Sequence, residues 1–367
     1  MNSRAQVLLP EQRYQDELEF LRSVDDGPRP PGWAMTPARA VDFICGAQGL
    51  RNGRKRMDIS TKFVGDRALV ERCVVTLAGS RALMLVGEPG TAKSMLSELL
   101  AAAICGSSAL TVQGSAGTTE DQLRYGWNYG LLLTHGPSRE SLVPSPVMQA
   151  MESGRIARVE EITRCLPEVQ DAIVPVLSER RISVPELGEY SVAAVEGFGL
   201  IGTANLRDKG VSEMSAALKR RFNFELVEPI ADRDAEVSLV MSKTATALAQ
   251  ADVIADVDEV VVNTLVDIFR DLRMGRTREG WAVEKPGSVL STAEAVAISS
   301  SIALAGAYFP VASPTALIPE HLLGAVRKDD DRDADRLRAY WDGVVHRRSQ
   351  ADHNSAWTVL WEQRSQL

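Results

Sequence analysis

One octapeptide carries the residue types that bind a polyphosphate. An apolar run over residues 82–86 precedes it and predicts a strand, and an apolar run from Met95 predicts a helix that ends at Gly106. This order aims backbone N–H groups and the positive end of the helix dipole at one place. The residues of the turn, in order, are Gly87, Glu88, Pro89, Gly90, Thr91, Ala92, Lys93 and Ser94.

Two side chains complete the chemistry that this turn predicts. We expect Lys93 to reach the β- and γ-phosphates of a nucleoside triphosphate and the Ser94 hydroxyl to bind Mg²⁺. The alternative is an ordinary strand–turn–helix with a chance lysine. The register of the glycines, lysine and serine argues against it. Ala92 stands where a glycine usually precedes the lysine, and its methyl group need not block the phosphates. Residues 87–95 are therefore the predicted nucleotide contacts.

Two carboxylates follow another predicted strand, at residues 155–159. We expect Glu160 to bind Mg²⁺, directly or through water, and Glu161 to act as general base on the attacking water. Two acids that merely end a strand are the alternative. Aspartate is usual at the first of these positions. The longer arm of Glu160 therefore bears on the metal geometry, because Mg²⁺ demands a near-octahedral set of ligands.

Polar residues at two further element ends belong to the same hypothesis. Asn205 ends the predicted strand 198–205, where it could position the attacking water, although an asparagine can also simply end a strand. Arg220 and Arg221 end a short predicted helix, 215–221. They could be a solvated helix terminus that the dipole favours, or they could reach the nucleotide of a neighbouring subunit. Arg221 is the preferred finger and Arg220 the alternative.

Three regions position these residues. Residues 1–60 are predicted as an accessory arm, with short helices opening at Pro10 and at Thr36-Pro37. Residues 61–229 alternate strand and helix, which predicts an α/β fold with a parallel sheet between helices. Residues 230–367 lose the strand signals and are predicted to be all-helical.

Within the middle region the predicted elements have definite bounds. A helix capped by Asp66 ends near Gly79, and a kink is expected at Pro175 in a helix over 166–180. The further predictions are strands at 109–113 and 223–227, a helix at 143–153 and a hairpin at 182–195.

Composition and charge restrict the class of protein. The net charge of −8 at pH 7 disfavours a nonspecific nucleic-acid binder. The four cysteines are widely spaced without a C-x-x-C pair, which predicts reduced core residues rather than disulfides or a zinc site. The first twenty residues do not read as a signal peptide, and no apolar run reaches membrane length. We therefore expect a cytoplasmic protein without a membrane partner.

Taken together, these motifs resemble the AAA+ ATPases, and among them the MoxR type, which is related to the chelatase motor subunits. The resemblance covers about residues 61–305. It rests on the loop 87–94, the run 158–164 around Glu160 and Glu161, Asn205 as first sensor, and Arg221 before Phe222 as arginine finger. Insertions at 114–144 and 182–195 also fit this clade, and Phe63-Val64-Gly65 resembles the segment around the adenine.

The resemblance implies a definite architecture and activity. It implies a five-stranded αβα core, a smaller helical lid and a ring, usually a hexamer, that hydrolyses ATP with Mg²⁺. It places Val64 and Gly65 among the nucleotide contacts. It also implies a protein substrate or a partner with a von Willebrand factor A domain. One family element is missing, because the stretch 286–295 contains no arginine at the lid's second sensor.

Three other functions stay open at this point. A chelatase motor subunit fits the insertions equally well and would depend on porphyrin-type partners. A nucleic-acid motor, as in related restriction GTPases, would want a basic patch. A non-hydrolysing, nucleotide-gated scaffold is suggested by Ala92, Glu160 and the missing sensor arginine. The one basic cluster, read as a solvated linker, comprises Arg51, Arg54, Lys55 and Arg56.

Overall fold

The computed structural model describes residues 8–205, 212–287, 290–311, 313–327 and 332–367. The chain divides into two compact units. The first runs to Glu228, apart from Pro89–Thr91, and the second begins at Pro229. Within the described residues, no helix is both long and apolar enough to cross a bilayer.

A five-stranded parallel sheet forms the centre of the first unit, as predicted, in the order β11-β3-β10-β7-β4. Three antiparallel two-stranded sheets accompany it, pairing β1 with β2, β5 with β6 and β8 with β9. The strands β1 to β11 are, in order, Ala47–Asn52, Lys55–Ile59, Ala82–Gly87, Thr111–Gln113, Tyr125–Trp127, Leu142–Pro144, Ile156–Glu160, Arg181–Ser183, Ser191–Ala193, Gly199–Asn205 and Phe222–Leu226.

Helices cover both faces of the central sheet. The helices α1 to α11 are Pro10–Arg13, Gln15–Ser23, Pro37–Cys45, Arg67–Ala78, Lys93–Cys105, Glu120–Leu123, Tyr129–His135, Pro146–Ser153, Pro167–Asp171, Ile173–Ser178 and Ala216–Lys219. Strand β3 is buried on both faces, and this is why it reads as an unbroken apolar run. Leu83 and Leu85 pack into one core, whereas Ala82 and Met84 pack into the other.

The predicted arm shares a core with the central sheet. One buried cluster contains residues of both α2 and α5. Its members from α2 are Leu18, Phe20 and Leu21, and those from α5 include Leu96, Leu99 and Leu100. Helix α3 begins at Pro37 under a Thr36 cap, in the predicted order. The hairpin of β1 and β2, over residues 47–59, was not predicted from the sequence.

Two predicted helices differ from the structure. The helix predicted at 143–153 begins only at Pro146, because residues 142–144 pair as β6 and the Ser145 hydroxyl accepts the N–H of Met148. The helix predicted at 166–180 is two helices that meet at Ala172. Pro175 has no N–H to bond to the Asp171 carbonyl, so a continuous helix is disfavoured there, and the interruption expected from Pro175 is present as a break at Ala172.

The second unit is built from helices, as predicted. Its helices α12 to α18 are Arg233–Gln250, Glu259–Met274, Thr292–Tyr308, Ile318–Val326, Arg332–Tyr340, His346–Ala351 and Ala356–Glu362, and a π-helical segment spans Trp341–Val345. Among its described residues the one β-bridge pairs Arg276 with Ala282. Phe269, Trp341 and Leu360 lie at the centre of its core.

Candidate functional site

Two residues with positive φ shape the turn between β3 and α5. Gly90 has φ of +76° and Ala92 has φ of 65°. Glycine adopts this left-handed conformation freely, whereas an L-residue with a Cβ is strained there by about 1–2 kcal/mol. The loop therefore keeps its turn despite the alanine that the sequence places before the lysine.

The Lys93 side chain lies inside the turn. It is buried, and its ammonium group donates to the carbonyl oxygens of Gly87 at 3.2 Å and Glu88 at 2.7 Å. These partners are polar, so the charge does not sit in an apolar core. The geometry holds one positive charge at the point where a phosphate bound to the loop would lie.

Ser94 and Glu160 meet directly. The Ser94 hydroxyl donates to Glu160 Oε2 at 2.7 Å, and the Thr203 hydroxyl donates to the same oxygen at 2.7 Å. Glu160 ends β7 and is buried. A hydroxyl beside a carboxylate oxygen is a donor set that suits Mg²⁺, so the residues predicted for the metal fit it.

Glu160 is ionised by its surroundings. Burial raises the pKa of its carboxyl group, but hydrogen bonds from Ser97, Ser94 and Thr203 and the charge of Arg158 outweigh burial and lower it. These groups stabilise the charged form. The charged form of Glu160 is thus favoured at the end of β7, while Lys93 supplies a positive charge within the loop.

Glu161 lies at the turn after β7. Its φ of 52° is left-handed, and its N–H donates to Thr203 Oγ1 at 2.9 Å. Its carboxylate forms an ion pair with Arg164 Nε at 2.8 Å, about a third of the side chain being exposed. The predicted general base is therefore held by a cation of its own chain.

Asn205 lies at the same edge of the sheet. In the parallel pairing of β10 with β3, it stands opposite Gly87, where the phosphate loop begins. The carboxyl ends of parallel strands meet at one edge, which is where ligands of open α/β sheets bind. Residues 206–211, which follow Asn205, lie outside the described part of the chain.

The two candidate arginines lie at the amino ends of the strands, opposite the end that carries the phosphate loop. The Arg221 carbonyl accepts the N–H of Ala82 at the amino end of β3. A six-residue strand, about 17 Å long at ~3.3 Å per residue, separates that point from Gly87. Arg221 binds Ser178 Oγ at 2.6 Å and the Ala217 carbonyl at 2.5 Å, whereas Arg220 is exposed. Neither arginine belongs to the phosphate site of its own subunit.

The segment predicted near the adenine divides between core and surface. Phe63 is buried among the residues of the arm, Val64 is half-buried and Gly65 is exposed. A Cβ on Gly65 would lie 2.5 Å from the Phe63 ring. The contact of Val64 and Gly65 with a nucleotide stays a prediction.

The stretch 286–295, which lacks the sensor arginine, contains the start of α14. There the Ser291 hydroxyl accepts the N–H of Glu294, and the Glu294 carboxylate accepts the N–H of Ser291, which forms a capping box. Residues 288 and 289 lie outside the described part of the chain.

Four residues of the site were not singled out from the sequence. Ser97 and Thr203 bind Glu160, and Arg158 lies two residues before it on the same face of β7. Gly114 passes so close to the turn that a Cβ would lie 2.5 Å from the Glu161 carbonyl oxygen. Spacing alone could have found Arg158, since alternate strand residues share a face, and Ser97, one helical turn after Ser94.

Comparison with known proteins agrees with this geometry. The AAA domain of the dynein-related subfamily matches residues 82–222, and the YehL-like AAA+ ATPase C-terminal domain matches residues 234–367. The fold and site thus define an AAA+ P-loop domain followed by a helical domain.

The relatives narrow the class to a family. The uncharacterized protein YehL of Escherichia coli strain K12 is 46% identical over 359 residues, which cover 96% of this chain and 95% of that protein. This chain belongs to the YehL-like AAA+ ATPase family. The uncharacterized protein SSP1341 of Staphylococcus saprophyticus is 26% identical over 56% of this chain and 73% of its own length. NtrX from Brucella abortus, solved in complex with ADP, has a TM-score of 0.47 and 14% identity, covering 83% of this chain and 68% of that chain.

Proposed function

We propose that this protein is a MoxR-type AAA+ motor that hydrolyses ATP with Mg²⁺ and remodels or matures a partner protein. The observation that carries the proposal is the meeting of Lys93, Ser94, Glu160, Glu161 and Asn205 at one edge of the central sheet.

Each residue has a role that its position supports. The N–H groups at the start of α5 and the Lys93 ammonium would bind the phosphates. Ser94 and Glu160 would hold Mg²⁺, which neutralises phosphate charge when bound. Glu161 would accept the proton of the attacking water, and Asn205 would orient that water.

The position of Arg221 supports assembly into a ring, for which the family resemblance implies a hexamer. Transition-state charge needs a cation, and Arg221 stands at the edge of the sheet away from its own phosphate loop. We propose that it acts on the nucleotide of a neighbouring subunit. The partner is proposed to be a protein substrate or a protein with a von Willebrand factor A domain, in the cytoplasm.

Two variants test the proposal. Lys93→Ala is expected to abolish ATP binding with the fold intact, because it removes the charge that meets the phosphates. Glu161→Gln is expected to keep ATP affinity and lose turnover, because an amide cannot accept the proton of water. ATP affinity is measured by calorimetry, and turnover is measured by the rate of phosphate release. ATP affinity unchanged by Lys93→Ala would exclude the loop as the site.

A second function has one observation in its favour. Because Arg164 holds the carboxylate of Glu161 in this structure, a non-hydrolysing, nucleotide-gated scaffold is also consistent with the site. ATP binding without phosphate release, across protein concentrations that allow assembly and with candidate partners added, would favour the scaffold over the motor.

A further inference from the structure

The two carboxylate oxygens of Glu160 have different partners, and one of these partners is the buried side chain of Arg158. Arg158 is 3% exposed, and its Nη2 donates to Glu160 Oε1 at 2.7 Å. The Ser97 hydroxyl donates to the same oxygen at 2.6 Å. Ser94 and Thr203 donate to the other oxygen, Oε2.

Arg158 is itself held on several sides. Its Nε donates to Ser97 Oγ at 3.0 Å, and its Nη1 donates to the carbonyl of Ser108 at 2.9 Å. Ser108 in turn donates through its N–H and hydroxyl to the Glu11 carboxylate of α1, at 2.9 Å each. A fixed guanidinium of this kind positions a carboxylate more narrowly than a free lysine could.

We propose that Arg158 is a positioning residue for the metal-side carboxylate. It holds Oε1 with Ser97, so that Oε2 alone faces the Ser94 hydroxyl. Aspartate is usual at this position, and Glu160 is one methylene group longer. The hydrogen bonds from Arg158 and Ser97 fix the longer side chain at Oε1 and leave Oε2 available to the cation. This inference rests on the proposed Mg²⁺–nucleotide site.

The test is a Mg²⁺ titration of fluorescent ATP-analogue binding, with a parallel measurement in EDTA. In Arg158→Met, the Mg²⁺ concentration for half-maximal tight binding is expected to rise about 10-fold or more, as for other outer-shell partners of metal ligands. Affinity in EDTA is expected to stay within about twofold of wild type, because phosphate contacts with the loop do not involve Arg158. Glu160→Gln serves as the reference for loss of the carboxylate.

Ser97→Ala keeps the test decisive if Arg158→Met does not fold. It removes one hydrogen bond to Oε1 without leaving a buried charge unpaired, and a smaller shift in the same direction is expected. Arg158→Lys keeps the charge and is expected to recover part of the Mg²⁺ response. A Mg²⁺ titration unchanged in folded Arg158→Met or Ser97→Ala, or an equal loss of affinity in EDTA, overturns the positioning role. Absence of Mg²⁺-dependent binding in wild type overturns the proposed function as well.

A separate observation concerns the tip of the β1–β2 hairpin. Arg51 and Arg56 are direct cross-strand partners, and Asn52 pairs with Lys55 beside them. Like charges directly opposite on a sheet are destabilising. Arg51, Arg54, Lys55 and Arg56 are all exposed, and none forms an ion pair with a residue in the described ranges.

We infer that this basic tip binds a short acidic segment of a partner protein. Paired guanidinium groups match carboxylates, and a carboxylate between Arg51 and Arg56 would relieve their repulsion. The chain as a whole carries a net charge of −8. This net negative charge disfavours a long nucleic acid, whose many phosphates need many cations, whereas a short acidic segment needs only the few at the tip.

Fluorescence anisotropy with a labelled hexaglutamate peptide tests this inference. Arg51→Ser with Arg56→Thr is expected to weaken binding at least about fivefold, an effect that salt diminishes. The control, Lys219→Gln with Lys243→Gln, removes the same charge elsewhere and is expected to leave binding within twofold. No binding by wild type, equal loss in the control, or tighter binding of duplex DNA through the same arginines overturns the inference.

Discussion

At the scale of single residues, the strained turn before Lys93 makes a prediction about stability. Ala92→Gly is expected to raise the free energy of unfolding of the first unit by about 1 kcal/mol, because glycine adopts the left-handed conformation without the Cβ penalty. Ala92→Val is expected to lower it, since a β-branched residue is more strained there. Urea unfolding measures both. A loss of stability in Ala92→Gly would contradict the strain.

The ion pair of Glu161 with Arg164 makes a prediction about turnover. Arg164→Gln is expected to raise basal phosphate release several-fold if the arginine restrains the general base, because the freed carboxylate can turn to water. Nucleotide affinity is expected to stay unchanged. Glu161→Gln added to Arg164→Gln should abolish the gain, and a gain that survives this double change would come from elsewhere.

At the scale of elements, an ionic network that is buried at Arg348 and Asp271 and open to solvent at Glu279 joins α13, α16 and α17 in the second unit. Arg348 binds the Glu279 carboxylate through Nε at 3.0 Å and Nη2 at 2.7 Å, and approaches Asp271 at 2.8 Å. The hydroxyl of Tyr340 donates to Asp271 at 2.8 Å. The hydrogen bond from Arg348 lowers the pKa of Glu279 from 4.5 to about 2.

This shift gives a pH dependence with a definite sign. A pKa lowered on folding means that the unfolded chain binds more protons, so stability falls as pH falls from about 4.5 towards about 2. Glu279→Gln is expected to flatten the dependence of Tm on pH in that window. Thermal melts across the window measure it, with Glu284→Gln, a largely exposed acid, as control. An unchanged slope in Glu279→Gln would exclude this carboxylate as the source.

At the scale of the whole molecule, the distance between Arg221 and the phosphate loop predicts a shared site. Activity per subunit is expected to rise with protein concentration, because an arginine finger in trans contributes on the order of 10³-fold to turnover. Mixing Arg221→Ala subunits with Lys93→Ala subunits should restore some activity, since each lacks a different half of the site. Arg220→Ala is the matched control.

Two results would contradict the shared site. One is activity per subunit that stays constant on dilution into monomers. The other is a mixture of the two variants with no more activity than the variants alone. Loss of activity in Arg220→Ala, with Arg221→Ala active, would assign the finger to Arg220.

Local sequence determined the phosphate loop and the sheet. The loop is contiguous, and the turn, lysine and helix start need only neighbours along the chain to form. Strands β3, β7 and β10 are buried along almost their whole length, and their largely apolar sequences made them predictable. The helical nature of the second unit followed likewise from periodicity.

Tertiary structure decided what surrounds Glu160 and where the arm lies. The hydroxyl groups that donate to Glu160 come from α5 and β10, far from β7 in the chain, and no local pattern shows that those elements converge on this carboxylate. The place of the arm likewise depends on distant residues, because Leu18 and Leu21 share a buried cluster with Leu96 and Leu99. The sequence therefore determined which residues could do the chemistry. Only long-range packing decided that the hydroxyl groups of α5 and β10 meet this carboxylate and that Arg221 lies beyond the reach of its own loop.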